Sequence, residues 1–140
     1  TGSAVFVARV DPQLAARRGY GVGHPGTLGV PSMTASVDPL LGTTTDLVLG
    51  NSLGQTTVAA LLIGLLPANT PTPFGGTLLV DAILFAPSLL VAPGGASLPL
   101  AIPNDNALGG VLLFVQQAAV DAGASQGIAF SAGLQLDLGI

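Results

Sequence analysis

The sequence has very few ionisable side chains. Only seven Asp and three Arg occur among its 140 residues, so 7% of the chain is charged, and Lys and Glu are absent. Soluble domains are about 25% charged, a proportion that keeps exposed apolar patches small. Because 49% of the residues are hydrophobic, we expect part of the surface to be covered by other copies of the chain, a larger assembly, attached glycan or a membrane.

Several residue types that carry specific chemistry are also missing. The chain has no Cys, which excludes disulfide bonds, thiolate metal sites and cysteine nucleophiles. It has no Trp and one Tyr, Tyr20, so the aromatic platforms of many sugar-binding sandwiches are scarce. The formal net charge is −4, and Arg17 and Arg18 are the one adjacent basic pair. Nucleic-acid binding is therefore not expected, because it needs clustered Lys and Arg.

The apolar stretches do not fit membrane-spanning helices. Residues 58–66 stop at Pro67, well short of the roughly 20 residues that cross a bilayer as a helix. Residues 78–91 contain Asp81 and Pro87. We expect no membrane span, and the small residues at positions 1–4 are typical of a mature end exposed by cleavage, which is compatible with an extracellular, secreted protein.

Composition and pattern predict an all-β fold of the β-sandwich or jelly-roll-like type. The 20 Gly and 11 Pro separate short apolar segments rich in β-branched residues and Leu, whereas strong helix formers are scarce. Eight or nine short strands with turn signals between them are typical of a sandwich, and the length fits one domain. The predicted strands after the first are residues 32–37, 44–49, 57–65, 77–85, 89–91, 97–102, 111–120 and 128–138.

Two of these segments carry further information about burial. Leu134, Leu136 and Leu138 alternate with Gln135 and Asp137, which predicts a strand with one buried face. Residues 58–66 are apolar without alternation, so we expect burial on both faces, or burial of one face by the core and of the other by a neighbour. The prolines within residues 67–73 and at Ala86-Pro87 predict breaks between strands. A helix over residues 112–122 is a weaker alternative to a strand there.

The first 19 residues are predicted to form an N-terminal strand arm and a linker, ahead of a sandwich domain at residues 20–140. Residues 4–10 predict a strand that is mostly apolar on both faces, so it needs a partner on each side. Its proposed assembly residues are Val5, Phe6, Val7 and Val10.

The linker and the loop after it have their own signals. Asp11 as N-cap and Pro12 at the first helical position predict a short helical turn that ends at Gly19. Residues 19–29 hold many glycines, which favours a structural loop over a phosphate-binding one, since no helix is predicted after it.

Three motifs resemble those of a known group of proteins. They are a Tyr-Gly-x-Gly loop at residues 20–26, a Phe-Gly-Gly turn at residues 74–80 and a Ser-x-Gly-Leu-x-Leu strand at residues 131–138. In this order they resemble a β-rich C-terminal module of large secreted or surface proteins of planctomycete-type bacteria, over about residues 20–140. The resemblance implies an extracellular β domain without an assigned biochemical function.

The sequence departs from that module at two positions. The modules carry a Cys in the first loop and another after the Gly-Gly turn, and these could pair. Here the corresponding positions are His24 and Thr77. The resemblance therefore implies that packing or assembly replaces the crosslink in this chain.

Candidate catalytic and ion-binding residues are sparse. His24 has no acidic neighbour in sequence and no G-x-S-x-G motif occurs, so we expect no triad, no cofactor and no enzyme activity. The seven Asp are scattered, whereas glycosidases pair carboxylates in a cleft. Asn104, Asp105 and Asn106 could offer oxygens to Ca²⁺, but such a sequence after a proline is more typical of a turn.

The sequence predicts a function in assembly. We expect a structural subunit of an extracellular filament or surface layer, with other copies of itself as the partner and the N-terminal strand added to a neighbour. Arg17 and Arg18 are candidates for charge contacts at the interface, and Thr70 and Thr72 are candidates for attached O-glycan. The alternative is a monomeric extracellular module that binds carbohydrate or protein.

Overall fold

The computed structural model describes residues 13–140 as two antiparallel β-sheets packed face to face. The prediction of an all-β sandwich is confirmed. The predicted strand at residues 4–10, with Val5, Phe6, Val7 and Val10, lies outside the described residues. The strands are β1 (Ala16–Tyr20), β2 (Met33–Ala35), β3 (Thr44–Leu49), β4 (Thr57–Pro71), β5 (Thr77–Val91), β6 (Ala96–Ala101), β7 (Leu112–Val120), β8 (Ile128–Phe130) and β9 (Gly133–Asp137).

The two sheets differ in width. The large sheet has the order β1-β9-β7-β4-β5, and β8 pairs with the end of β7 beyond β9. The small sheet has the order β2-β3-β6. The edges of the large sheet are therefore β1 on one side and β5 on the other. Within residues 13–140, no helix is long and apolar enough to span a bilayer.

The main core lies between the sheets. Leu47 and Leu49 of the small sheet and Leu61, Val115 and Leu136 of the large sheet are at most 1% exposed and belong to one cluster. Side chains that alternate along each strand supply this layer, because successive residues of a strand point to opposite faces. The predicted alternation at the end of the chain is confirmed, since Leu134, Leu136 and Leu138 are buried while Gln135 and Asp137 are half-buried.

A second, smaller core covers the outer face of the large sheet. Val80 of β5 packs there against Leu62 and Phe114, and the ring of Tyr20 meets that of Phe114 edge-to-face at 5.7 Å. The buried Gln116 accepts a hydrogen bond from Leu79 N and donates one to Thr77 O. The tip of the β4–β5 hairpin is thereby held over the sheet.

The long hairpin corrects two predicted strand breaks. β4 continues through Pro67 to Pro71, and β5 continues through Pro87, which joins predicted residues 77–85 and 89–91 into one strand. β7 pairs with β4 only as far as Gly64 opposite Phe114. Among the described strands, β4 has a neighbour on one side alone beyond that point, and a proline without an N–H is tolerated there as it is on the edge strand β5.

The prediction of burial on both faces holds for only part of residues 58–66. Positions 59–64 are buried or half-buried, because β4 has strands on both sides there. Leu65 and Leu66 are 50% and 60% exposed. They lie beyond the end of the β7 pairing, and Val58, which is 38% exposed, lies before its start, so burial of both faces within this chain is wrong for these three residues.

The helical turn predicted between Asp11 and Gly19 is wrong for the described residues. Ala16–Tyr20 forms β1, which pairs with β9. Upstream of β1, Ala15 N donates to Ile140 O and Ile140 N donates to Gln13 O. The folded unit thus reaches back to Gln13, since pairing with the last strand outweighs the weak local capping signal.

Candidate functional site

The free edge of β5 is an exposed apolar surface in the described part of the chain. We call residues 82–86 the β5 edge. Ile83, Leu84 and Phe85 are 66%, 62% and 59% exposed, and β5 pairs with β4 on its other side alone. Asp81 and Pro87 bound this run.

Both faces of the β5 edge are apolar. Phe85 lies opposite Leu62, and Leu84 lies opposite Ile63. Residues directly opposite in an antiparallel pair share a face of the sheet. Leu62 belongs to the outer cluster and Ile63 packs on the main core. Phe85 therefore faces outward from the sandwich and Leu84 faces the side of the small sheet.

An apolar depression lies on each side of the β5 edge. The outer groove has a volume of about 360 Å³, and its lining includes Val58, Leu62, Phe85, Val120 and Phe130. The inner hollow has a volume of about 230 Å³ and is lined by Leu61, Ile63, Leu84, Phe85, Ala86 and Leu98. The inner hollow opens between β5 and β6. A strand laid along the β5 edge would therefore find apolar space for side chains on both of its faces.

The other sheet edges carry the features that block strand addition. β1 has exposed Arg17 and Arg18, β6 contains Pro99, and β2 is three residues long. Charges, prolines and short edge strands are the usual protection against edge-to-edge pairing. The β5 edge has no charge and no proline between Asp81 and Pro87. It is thus the least protected edge in residues 13–140.

The structure places the two predicted interface arginines beside acids of the same chain. Arg17 Nη1 lies 3.1 Å from Asp38 Oδ1, and Arg18 Nη2 lies 3.7 Å from Asp137 Oδ2. The Arg18 side chain is 65% exposed. Solvent screens such pairs, so each contributes about 1 kcal/mol or less.

A buried carboxylate joins three loops at one end of the sandwich. Asp121 has no exposed surface. It accepts hydrogen bonds from Thr27 N at 3.0 Å, Thr27 Oγ1 at 2.6 Å, Ser52 Oγ at 2.6 Å and Gly123 N at 2.9 Å. Burial raises the pKa of the Asp121 carboxyl, but these hydrogen bonds together outweigh it and hold the pKa below its usual value. The carboxylate stabilises the loops in its charged form.

Glycine is needed where these loops close over Asp121. A Cβ at Gly26 would overlap the Asp121 carboxylate, and a Cβ at Gly123 would overlap Thr27. The glycine-rich segment predicted as a structural loop thus lets backbone approach a buried acid.

His24 lies in the same loop region, and its side chain is hydrogen-bonded to Ser125. Its Nε2 is 2.9 Å from Ser125 Oγ, and its backbone exchanges hydrogen bonds of 2.8 and 3.0 Å with Phe130. A triad also needs a carboxylate that orients the imidazole. Among the described side chains no carboxylate bonds to His24, and the oxygens of Asp121 are held by Thr27, Ser52 and Gly123.

The remaining candidate residues have local partners. Asp105 caps a short 3₁₀ turn, Asn106–Leu108, and accepts from Ala107 N at 2.9 Å. In residues 13–140 no group of three or more His, Asp or Glu is placed to hold a metal ion. Thr70 is exposed at the end of β4, whereas Thr72 Oγ1 donates to Gly76 O at 2.7 Å within the hairpin turn.

Tyr20 is built into the fold. Its hydroxyl donates to Leu79 O at 2.6 Å, and burial raises its pKa to about 12. A Cβ at Gly133 would overlap the Tyr20 ring, so the ring lies directly on that backbone. One face of this ring is therefore taken up by the protein and cannot serve as a sugar platform.

Sequence reasoning missed the β5 edge and the Asp121 network. The edge had a visible signal, an apolar run without alternation between Asp81 and Pro87. The Asp121 network had no visible signal in the sequence, because Thr27 and Ser52 are 94 and 69 positions from Asp121.

Comparison with known proteins finds no matching family model, no matching curated protein and no matching solved structure.

Proposed function

We propose that the protein is a structural subunit of an extracellular filament or surface layer that assembles from copies of itself. The observation that carries the proposal is the β5 edge, with three large apolar side chains at least 59% exposed. A chain with 7% charged residues has few other groups to keep such a surface in water. Contact between copies would cover it.

The proposed mechanism is strand addition. Residues 4–10 of one copy extend a sheet of the next copy, so that main-chain hydrogen bonds supply affinity and side-chain pockets supply specificity. A donor and an acceptor at different places on one chain make a heterologous contact, which repeats without limit unless it closes into a ring. The extracellular setting is supported by the resemblance of residues 20–140 to a module of secreted surface proteins.

Removing residues 1–10 tests this proposal. We expect the full chain to sediment as a broad distribution of large species and the truncated chain to give short or monomeric species, since the donor strand is gone. Sedimentation velocity at matched concentrations measures the difference. A full-length variant with Phe6→Ser and Val7→Ser is the control that keeps the chain length, and it should behave as the truncated chain does. Undiminished polymers from the truncated chain would remove residues 4–10 from the mechanism.

The second candidate function is a monomeric extracellular binding module. The outer groove, about 360 Å³ and almost wholly apolar, favours it because ligand sites are concave and mostly apolar. A protein or peptide ligand fits this lining better than a sugar does. In the same sedimentation experiment this function predicts a single 13.7 kDa particle at every concentration.

A further inference from the structure

We propose that two copies of the chain pair through the outer face of the large sheet, so that each copy places side chains in the outer groove of the other around a two-fold axis. Five residues that line the groove are exposed, and we call them the outer rim: Val58, Phe74, Phe85, Pro87 and Val120. Below the rim, Leu62 and Phe130 are 8% and 4% exposed and form the floor. This outer-face pairing goes beyond the proposed strand addition and does not need it.

The groove offers apolar contact rather than hydrogen bonds. Among the described residues that line it, Thr72 is the one polar side chain, and its hydroxyl donates to Gly76 O at 2.7 Å. β4 runs beneath the groove and is paired with both β5 and β7 over residues 59–64. A sugar or a charged peptide would lose hydrogen bonds to water there without replacement. An apolar protein surface would not.

The chain itself carries side chains that fit this groove. An apolar cavity of about 150 Å³ holds one benzene ring, so a groove of about 360 Å³ has room for about two. The phenyl rings of Phe74 and Phe85 stand on the outer rim and are 45% and 59% exposed. In a two-fold contact the same patch faces itself and every contact is reciprocal. Each copy would therefore supply the rings that fill the groove of its partner.

Charge also favours a second copy on this face. A face that meets its own copy must avoid like charges, and the outer rim has none. β5 contains one acid, Asp81, and Asp121 follows β7 directly, but neither faces the groove. Asp121 has no exposed surface. Asp81 follows Val80, whose side chain packs in the outer cluster, so Asp81 points to the opposite face of β5.

The exposed area of the outer rim matches a small dimer interface. At roughly 150–200 Å² for a fully exposed side chain of this size, the five rim residues present about 400 Å². Homodimer interfaces are about 65% apolar, so this rim corresponds to about 600 Å² on each copy. The total of about 1,200 Å² is at the lower bound for specific interfaces. We therefore expect a reversible dimer with a Kd in the micromolar range.

Outer-face pairing and strand addition use different parts of β5. Strand addition uses main-chain groups along the edge of a sheet, whereas the rim side chains point away from the sheet. One copy could therefore make both contacts at once. Outer-face pairing would then join two rows of copies side by side.

The full-length variant with Phe6→Ser and Val7→Ser separates the two contacts, because it alters the donor strand and keeps the outer rim. In this background we expect a reversible dimer of twice 13.7 kDa by sedimentation equilibrium at about 1–100 μM. Adding Val120→Lys should raise the Kd at least about ten-fold, because the contact would bury an ammonium group. Val22→Lys is the matched control, since Val22 is 79% exposed and does not line the groove.

Filling the groove is a second, independent test. Ala118 is half-buried in the groove lining, opposite Ala60 and Phe130. In Ala118→Phe the new ring would occupy the room that the partner's ring needs, so the Kd should again rise at least about ten-fold. Non-specific apolar association would instead be strengthened, because the face becomes more apolar. Thermal unfolding of each variant shows whether the fold is intact.

A dimer that Val120→Lys and Ala118→Phe weaken and Val22→Lys leaves unchanged supports the inference. A monomer at every concentration in the Phe6→Ser, Val7→Ser background overturns it, as does an equal effect of the two lysines or a dimer that Ala118→Phe does not weaken. If that background still forms larger species, the same comparisons are made on their size distribution. Polymers of the natural chain with a monomeric background leave the proposed function standing without outer-face pairing, and a natural chain that stops at the dimer gives the reverse result.

Discussion

We expect replacement of Leu84 by lysine to abolish the proposed assembly and to leave the fold intact. Leu84 is 62% exposed, so its loss removes little core packing. An incoming strand would bury the new ammonium group in the inner hollow, and inward-pointing lysine is a known protection of edge strands. We expect the association constant to fall at least about 100-fold, which corresponds to about 2.7 kcal/mol for an unpaired charge at an interface.

The matched control for this variant is Leu90→Lys. Leu90 is 72% exposed on the same strand, but it lies beyond Pro87 and opposite Val58, outside the β5 edge. It receives the same charge, so a general gain in solubility would affect both variants alike. Sedimentation of the two variants distinguishes a specific loss of assembly from a general gain in solubility. A thermal unfolding curve for each variant shows whether the fold is intact. Polymers of Leu84→Lys as long as those of the natural chain would contradict the role of the β5 edge.

We expect replacement of Asp121 by alanine to cause a large loss of stability. The carboxylate accepts four short hydrogen bonds from Thr27, Ser52 and Gly123, and its removal leaves buried donors without a partner. Each such donor costs about 1–3 kcal/mol. Since loops alone separate the site from solvent and water can relax into it, we expect a total of about 3 kcal/mol at neutral pH.

The loss of stability on replacing Asp121 by alanine should become smaller at low pH. The pKa of Asp121 in the folded protein lies below its usual value, so the stabilisation is present above the unfolded pKa of about 3.9 and is lost as the pH falls through the folded pKa. The difference in the free energy of unfolding between the natural protein and Asp121→Ala should therefore decrease below about pH 4. Denaturant unfolding at pH 7, 4 and 3 measures it.

Asp105→Ala is the control for a carboxylate at the surface. Asp105 is exposed and accepts one bond, from Ala107 N, so its removal should cost about 1 kcal/mol or less. Equal losses of stability in the two variants would contradict the account of the buried carboxylate. A loss of stability for Asp121→Ala that does not change with pH would contradict it as well.

The strands with a clear pattern were predictable from the sequence, and their neighbours in the sheet were not. Residues 44–49 were predicted at the observed bounds of β3, because alternation and flanking turn residues are local signals. The continuation of β4 through Pro67 was not predictable, since it depends on the pairing between β4 and β7 ending at Gly64, opposite Phe114. A proline excludes a strand only where a neighbour needs its N–H.

The candidate site shows the same division between local and distant information. The apolar run at residues 82–86 is visible in the sequence, but it is exposed at an edge only because β5 is the last described strand of its sheet. Sheet order is set by pairings between residues far apart in the chain, such as β7 with β4. The helical turn expected after Asp11 and Pro12 is wrong for residues 13–19 for a comparable reason, because β1 forms by pairing with β9 at the other end of the chain.

The most direct test of self-assembly is sedimentation velocity of the intact chain over a wide concentration range, with negative-stain images of the same samples. We predict long species whose size distribution shifts upward with concentration, as repeated head-to-tail contact requires. A single species of 13.7 kDa at every concentration, with no glycan attached, would contradict the central claim.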